Sequence, residues 1–263
     1  MSSHESPQRT LIVACVLCIV CSIIVSGTAV ALKDLQQENK LLDKKRNILV
    51  AAGLLAEQET AGPDHLKRLF ENIEVRQVEL SSGQYVTDVP SGYDHLKASK
   101  EPDQSRGLTS AEDLAGIKRL EVIGTVYLTK DASGAFSRVI LPVRGYGLWS
   151  TLYGFLALEA DLKTVAALSF YQHAETPGLG GEVDNPGWKA HWAGKLVFNE
   201  QDQPSIKLHK GKVTPAVTGH EYKFDSLAGA TLTSQGVENL LRFWVGDLGY
   251  GPYLKQLKSN SDA

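Results

Sequence analysis

Residues 11–32 carry no charged side chain and lie between Arg9 and Lys33. As a helix rising about 1.5 Å per residue, the run spans roughly 33 Å, enough to cross the hydrocarbon core of a bilayer. Ala29-Val30-Ala31 looks like a signal-peptide cleavage site. The run is longer than a usual signal core of about 7–15 residues, so a retained anchor is expected. A short polar tail, 1–10, then precedes a single N-terminal transmembrane helix, 11–32. Lys33, Lys40, Lys44, Lys45 and Arg46 follow the run, and only Arg9 precedes it. By the positive-inside rule this bias keeps the C-terminal part cytoplasmic, although large domains translocate in spite of it.

The 263-residue chain is 43% hydrophobic and 22% charged, with a formal net charge of -3. Those values suit one globular domain or two and give no electrostatic case for a nucleic-acid partner. Cys15, Cys18 and Cys21 all lie in the apolar run. A disulfide framework elsewhere is therefore excluded. In a membrane helix the C-x-x-C-x-x-C spacing reads as small apolar filler, and a cluster held by this chain alone would lack a fourth thiolate. No second histidine stands at metal spacing from His173, which argues against a zinc site.

Beyond the anchor, 33–121 reads as a helical and irregular connecting region. The first helix continues to about Gly53, and Gly62-Pro63 breaks the chain. Asp64 is placed to cap a helix through Leu66, Leu69, Phe70 and Ile73. Residues 81–110 are rich in Ser, Gly, Pro, Asp and Lys and read as a long connection, followed by a short helix over 111–120. From 122 to 263 the pattern is that of a mixed domain. Strands are expected over 125–129 and 136–143, joined by an Asp131-Ala132-Ser133-Gly134 turn, then over 152–158, 164–171 and 206–208. A short helix is expected over 188–192. Val237, Leu240, Leu241 and Trp244 have i, i+3, i+4, i+7 spacing and predict a longer helix that stops at Gly246, Gly249 and Gly251-Pro252. A run of strands with separate helices is an α+β domain.

Three stretches carry candidate site residues. Asp225 to Ser234 leads into the long helix. Ala228, Gly229 and Ala230 let a bulky ligand approach the backbone, and Thr231, Thr233 and Ser234 bring hydroxyls to a helix start, where free N–H groups suit a phosphate. On local physics alone the ordinary N-cap, which Ser234 could supply, is the favoured reading. The second stretch, Glu175-Thr176-Pro177-Gly178-Leu179-Gly180, follows a strand, where ligand groups are often displayed, and is otherwise a plain Pro-Gly turn. His173 before it reads as a strand-end histidine. In the third, Gly145-Tyr146-Gly147-Leu148-Trp149-Ser150, glycines beside aromatics suit a flat ring. Lys210 and Lys212 are candidates for a phosphate or a solvated strand end. The sequence has no P-loop, dinucleotide fingerprint or nucleophile elbow.

Asp225, Gly229-Ala230-Thr231 and Thr233-Ser234 resemble the S(T)GAT motif of flavoproteins that carry FMN on the motif threonine, with Ala228 in place of the usual hydroxyl residue. Together with the anchor, the 93–118 region, Gly147-Leu148-Trp149-Ser150, the 173–180 stretch and the 225–254 tail, this resembles the family of C subunits of the bacterial Na+-translocating NADH:quinone reductases. The resemblance implies FMN bound covalently by a phosphoester to Thr231. It implies cofactor contacts from Leu148, Trp149, Ser150, Glu175, Thr176, Leu179, Gly180, Ser226, Gly229, Ala230, Leu232 and Thr233.

It further implies a one-electron relay in a six-subunit inner-membrane complex that oxidises NADH, reduces ubiquinone and exports Na+. NADH, FAD and quinone would bind on other subunits. A flavin transferase would install the FMN, and the soluble domain would face the periplasm, against the charge count. The similar G subunit of Rnf-type ferredoxin:NAD reductases, and a membrane-anchored sensor or binding module without a redox role, are the alternatives. Gly147-Leu148-Trp149-Ser150 and the long segment before Val122 favour the quinone-reductase family.

Overall fold

The computed structural model describes residues 6–131 and 133–261. Residues 1–5 of the expected tail and Ala132 of the expected turn lie outside them. The chain divides into two compact units, one ending at Lys44 and one beginning at Lys45. In the first, helix α1 (Pro7–Ala51) carries the apolar run with its side chains exposed along it. This segment is long and apolar enough to cross a membrane. The end of α1 belongs to the second unit, where Ile48, Leu49 and Ala51 are buried.

The second unit is built on a five-stranded sheet of order β1-β4-β5-β6-β7. Its strands are β1 (Glu74–Glu79), β4 (Ile123–Lys130), β5 (Phe136–Tyr146), β6 (Thr151–Glu159) and β7 (Val165–Gln172), and every neighbouring pair is antiparallel. Side chains alternate across the sheet. Val139, Leu141, Val143, Leu156 and Phe170 join one core with Val237, Leu240, Leu241 and Trp244 of α5 (Thr231–Val245). Fully burying each such side chain stabilises the fold by about 1.5–3 kcal/mol. On the opposite face an aromatic row runs from Phe70 of α2 (Pro63–Phe70) through Tyr127 and Phe155 to Tyr171. The anchor followed by an α+β domain is as expected, and the four strands from β4 to β7 match the alternation in the sequence.

Several local expectations are corrected. Helix α2 is capped by Gly62 with Pro63 in its first turn, so Asp64 lies inside the helix, and Ile73 falls outside it. Strand β1 was not foreseen. Its Glu74, Arg76 and Glu79 hide the period-2 signal, as charges on an edge strand do. Residues 81–110 contain α3 (His95–Ala98) and β2 (Ser105–Gly107), and β2 pairs with β3 (Arg119–Glu121). The helix expected over 111–120 does not form. The Asp113 carboxylate accepts instead from the N–H groups of Ile117 and Lys118, both at 2.8 Å, and Gly116 and Lys118 take positive φ. Side-chain bonding to nearby backbone competes with helix in this way.

Helix α4 (Pro186–Ala190) starts earlier than 188 because Asn185 caps it, accepting from Gly187 N–H at 2.8 Å. Strand β8 (Lys207–His209) pairs in parallel with β9 (Lys223–Asp225). Gly251-Pro252 does not end the fold. It opens α6 (Gly251–Ser261), since proline is at home in a first turn.

Candidate functional site

Glu175 holds the three candidate stretches together. It leaves β7 through the 173–174 link and is 5% exposed. Its Oε1 accepts from the backbone N–H groups of Leu148, Trp149 and Ser150 at 3.1, 3.0 and 3.0 Å, and from Ser150 Oγ at 3.2 Å. Its Oε2 accepts from Thr233 Oγ1 at 2.8 Å. Burial opposes ionisation of this carboxyl. The donors from Thr233, Trp149, Ser150 and Leu148 outweigh that cost and hold it below the usual carboxylate range. Ala174 N–H in turn donates to Ser150 Oγ at 2.8 Å. His173 Nδ1 accepts from Glu175 N–H at 3.2 Å while Nε2 faces Asp184 Oδ2 at 2.7 Å. The ring is therefore engaged on both nitrogens and orients the loop.

The glycines permit this close assembly. A side-chain carbon on Gly147 would meet Glu175 Oε1 at 2.6 Å, and one on Gly180 would meet Thr233 Oγ1 at 2.6 Å and Glu175 Oε2 at 2.7 Å. A carbon on Gly145 would strike Leu240, and one on Gly236 would strike the Tyr146 carbonyl. Gly145 and Gly236 thus let α5 lie against the end of β5 and the strap that follows it, and Gly147 makes room for the Glu175 carboxylate. Gly229 takes φ +70 in the turn before α5, where a side-chain carbon would press on Leu179 Cδ2.

Helix α5 begins without a side-chain cap, at Ala230. Ser234 is not the cap. Its Oγ donates to the Ala230 carbonyl and accepts from Leu227 N–H, which binds the preceding turn onto the helix. The first backbone bond into the helix is from Ser234 N–H to Ala230 O at 3.0 Å, so the N–H groups of Thr231, Leu232 and Thr233 precede it. Thr231 is exposed, and its hydroxyl makes no hydrogen bond among the described residues. Ser226 N–H donates to His209 O, which sets the stretch beside β8. Lys210 and Lys212 are exposed on the turn after β8, on either side of Gly211. Val213 N–H, just beyond them, bonds Asp225 Oδ1 at 2.7 Å.

Large apolar side chains stand exposed around this helix start: Trp149 at 68%, Leu232 at 61% and Leu179 at 43%. Leu232 and Leu148 also line a cleft of about 350 Å³ with Leu114, Tyr146, Gln235 and Asn239. Tyr146 belongs to the third candidate stretch, whereas Leu114 lies outside all three. Leu114 falls in the stretch misread as a helix, which removed any reason to place it here. Thr176 stays exposed, its carbonyl accepting from Leu179 and Gly181. A smaller hollow of about 50 Å³, lined by Leu162, Phe198, Val245 and Leu254 among others, shares no residue with the candidate site.

This arrangement fits a phosphorylated aromatic cofactor. Free N–H groups at a helix start suit the phosphate, and the exposed indole and leucines suit a ring. The FMN-binding domain family matches residues 147–246, which include the strap, the 175–180 loop and Thr231. The C subunit of a Na(+)-translocating NADH-quinone reductase from Pseudomonas aeruginosa is 53% identical over 260 residues, covering 98% of each chain. Its counterpart from Yersinia pestis is 44% identical, covering 98% of this chain and 96% of that one. The crystal structure of Shewanella oneidensis NqrC superposes with a TM-score of 0.75 at 30% identity, covering 86% of this chain and 99% of that chain. The crystal structure of the same kind of subunit from Parabacteroides distasonis, 24% identical with a TM-score of 0.64, shares the fold. On this likeness over nearly its whole length, the chain belongs to the NqrC family, the C subunits of the Na(+)-translocating NADH-quinone reductases.

Proposed function

We propose that this chain carries FMN through a phosphoester to Thr231 and serves as an electron-relay subunit of a Na+-translocating NADH:quinone reductase. The observation that carries the reading is the start of α5. An exposed, unbonded threonine hydroxyl stands at an uncapped helix N-terminus with Trp149, Leu179 and Leu232 exposed near it. The N–H groups of Thr231, Leu232 and Thr233 hold the phosphate, and the positive end of the helix favours its charge. Leu148, Trp149, Leu179 and Leu232 supply apolar surface for the ring, and Gly229 and Ala230 leave room at the backbone. Ser150, Glu175 and Gly180 shape the site from beneath, and Ser226 and Thr176 border it. When bound, FMN supplies reversible electron acceptance and donation at a potential its neighbours tune.

The complex as a whole performs the enzymatic reaction, and this chain contributes one carrier to it. In this reading the single anchor sits in the bacterial inner membrane and the soluble domain faces the periplasm. The chain assembles there with five other subunits after a flavin transferase has loaded Thr231. A covalent tether suits an exterior carrier, because rebinding becomes intramolecular and the flavin is not lost by dilution. Likeness to the quinone-reductase subunits along the chain favours this reading over an Rnf-type flavoprotein and over a colourless sensor module. A denaturing gel of the full chain from transferase-producing cells tests it: a flavin-fluorescent band is expected, and a dark band opposes the reading.

A further inference from the structure

Glu175 lies where a flavin ligand was expected, yet its oxygens are directed at its own chain. Four donors converge on Oε1, three of them consecutive backbone N–H groups from 148–150. Oε2 meets the Thr233 hydroxyl, two residues beyond Thr231 and inside the first turn of α5. A carboxylate that accepts several such bonds inside a protein is a strong anchor, because each bond is charge-assisted. Gly147 and Gly180 are held without side chains at the two points where a Cβ would press on these oxygens. The carboxylate therefore fixes the strap that displays Trp149 relative to the helix start that displays Thr231.

We propose that Glu175 is the positioning residue of the flavin site: it locks the 148–150 strap to the first turn of α5, and its charge disfavours reduction of the flavin. This rests on the reading that Thr231 carries FMN. Two effects follow, and they separate by mutation. The lock acts through geometry, so losing the Thr233 hydroxyl frees the helix start from the strap while leaving the charge in place. The charge acts through space in a partly buried site, where screening by water is weak. A fixed negative charge opposes electron addition to a neighbour, so removing it raises the reduction potential.

The test uses the full-length chain, loaded in transferase-producing cells and purified in detergent. Thr233→Val keeps size and removes the donor. Its bound flavin is expected to fluoresce about twofold or more brighter than in the wild type, as the ring loses a fixed aromatic neighbour of the kind that stacks offset or edge-on. Thr233→Ser restores the donor and is expected to return emission to the wild-type value. Glu175→Gln keeps the shape and a carbonyl acceptor for the strap, and is expected to shift the flavin midpoint potential upward. Emission and potential unchanged in Thr233→Val and Glu175→Gln, with FMN attached, would overturn the proposal. Equal brightening in Thr233→Val and Thr233→Ser would reject the hydroxyl as the lock. A wild-type chain lacking FMN would instead overturn the reading of Thr231 on which the proposal stands.

Discussion

Thr233 Oγ1 donates to Glu175 Oε2 at 2.8 Å across a separation of 58 residues, and both groups are buried. Through this one contact the first turn of α5 is joined to the loop that leaves β7. The second carboxylate oxygen extends the join to the strap between β5 and β6. Three segments that share no local sequence signal become one surface, and Thr231 stands exposed at its edge.

Gly180, with Gly147, is one of the two tightest points of that junction. A methyl there would approach Thr233 Oγ1 to 2.6 Å and Glu175 Oε2 to 2.7 Å. Overpacking of this kind costs about 1–3 kcal/mol, so Gly180→Ala is expected to lower stability by that amount in urea unfolding. Gly178→Ala is the comparison. Its site is open, and only its positive φ of 74 penalises a side chain. Little or no loss in Gly180→Ala would show that the junction yields to the methyl, since Gly180, unlike Gly178, carries no positive φ.

Acid should loosen the site. Burial opposes ionisation of Glu175, and the bonds from Thr233 and the strap more than offset it, so its folded pKa lies below the unfolded value. A carboxyl depressed in this way contributes stability that is fully present above its unfolded pKa of about 4.3 and is lost as pH falls through the folded value. His173 and Asp184 lie on the same side, Thr233 faces the carboxyl from α5, and Ser150 faces it from the strap. The stability difference between wild type and Glu175→Gln is expected to be constant near neutral pH and to shrink as pH falls below about 4. Urea midpoints measured across that range check it, and a difference that grows toward acid would contradict it.

A buried ion pair stands behind the strap. Arg144 Nη1 and Nη2 donate to the two oxygens of Glu121 at 2.8 and 2.5 Å, and Arg144 Cζ lies 5.1 Å from the centroid of Trp244. Breaking such a pair by removing one partner strands the other charge and costs about 3–5 kcal/mol. Glu121→Ala is therefore expected to unfold at markedly lower urea than wild type. Arg144→Met with Glu121→Leu should recover much of the loss, since an apolar pair of similar volume is often neutral. Failure of the double variant to improve on the single one would show that other contacts of the Arg144 side chain, such as its bond to the Arg119 carbonyl and its stacking on Trp244, dominate.

Much of this was legible in the sequence, and the exceptions have physical reasons. The uncharged run declares itself by its length, and strands β4 to β7 by dense apolar segments, because much of the sheet is buried on both faces. The i, i+4 stripe of α5 does so as well. Thr231 is marked in the sequence by its small neighbours and the motif they form, and in the fold it stands exposed at the start of α5. The role of Glu175 could not be read, because a carboxylate that binds its own backbone looks in sequence like any other acidic residue. Gly147 and Gly180 are its only traces, and glycines also mark ordinary turns. Residues 111–120 misled because helix propensity cannot see Asp113 folding back on Ile117 and Lys118. Edge strand β1 is obscured by its charges.

The central claim is that Thr231 bears the flavin. Peptide mass analysis of the full-length protein, made in cells with the flavin transferase, tests it most directly. The account predicts that the peptide containing Thr231 is heavier by the mass of FMN less water, and that Thr231→Ala abolishes the modification and the fluorescent band. An unmodified Thr231 peptide from a flavin-loaded chain, or full covalent flavin in Thr231→Ala, would contradict it.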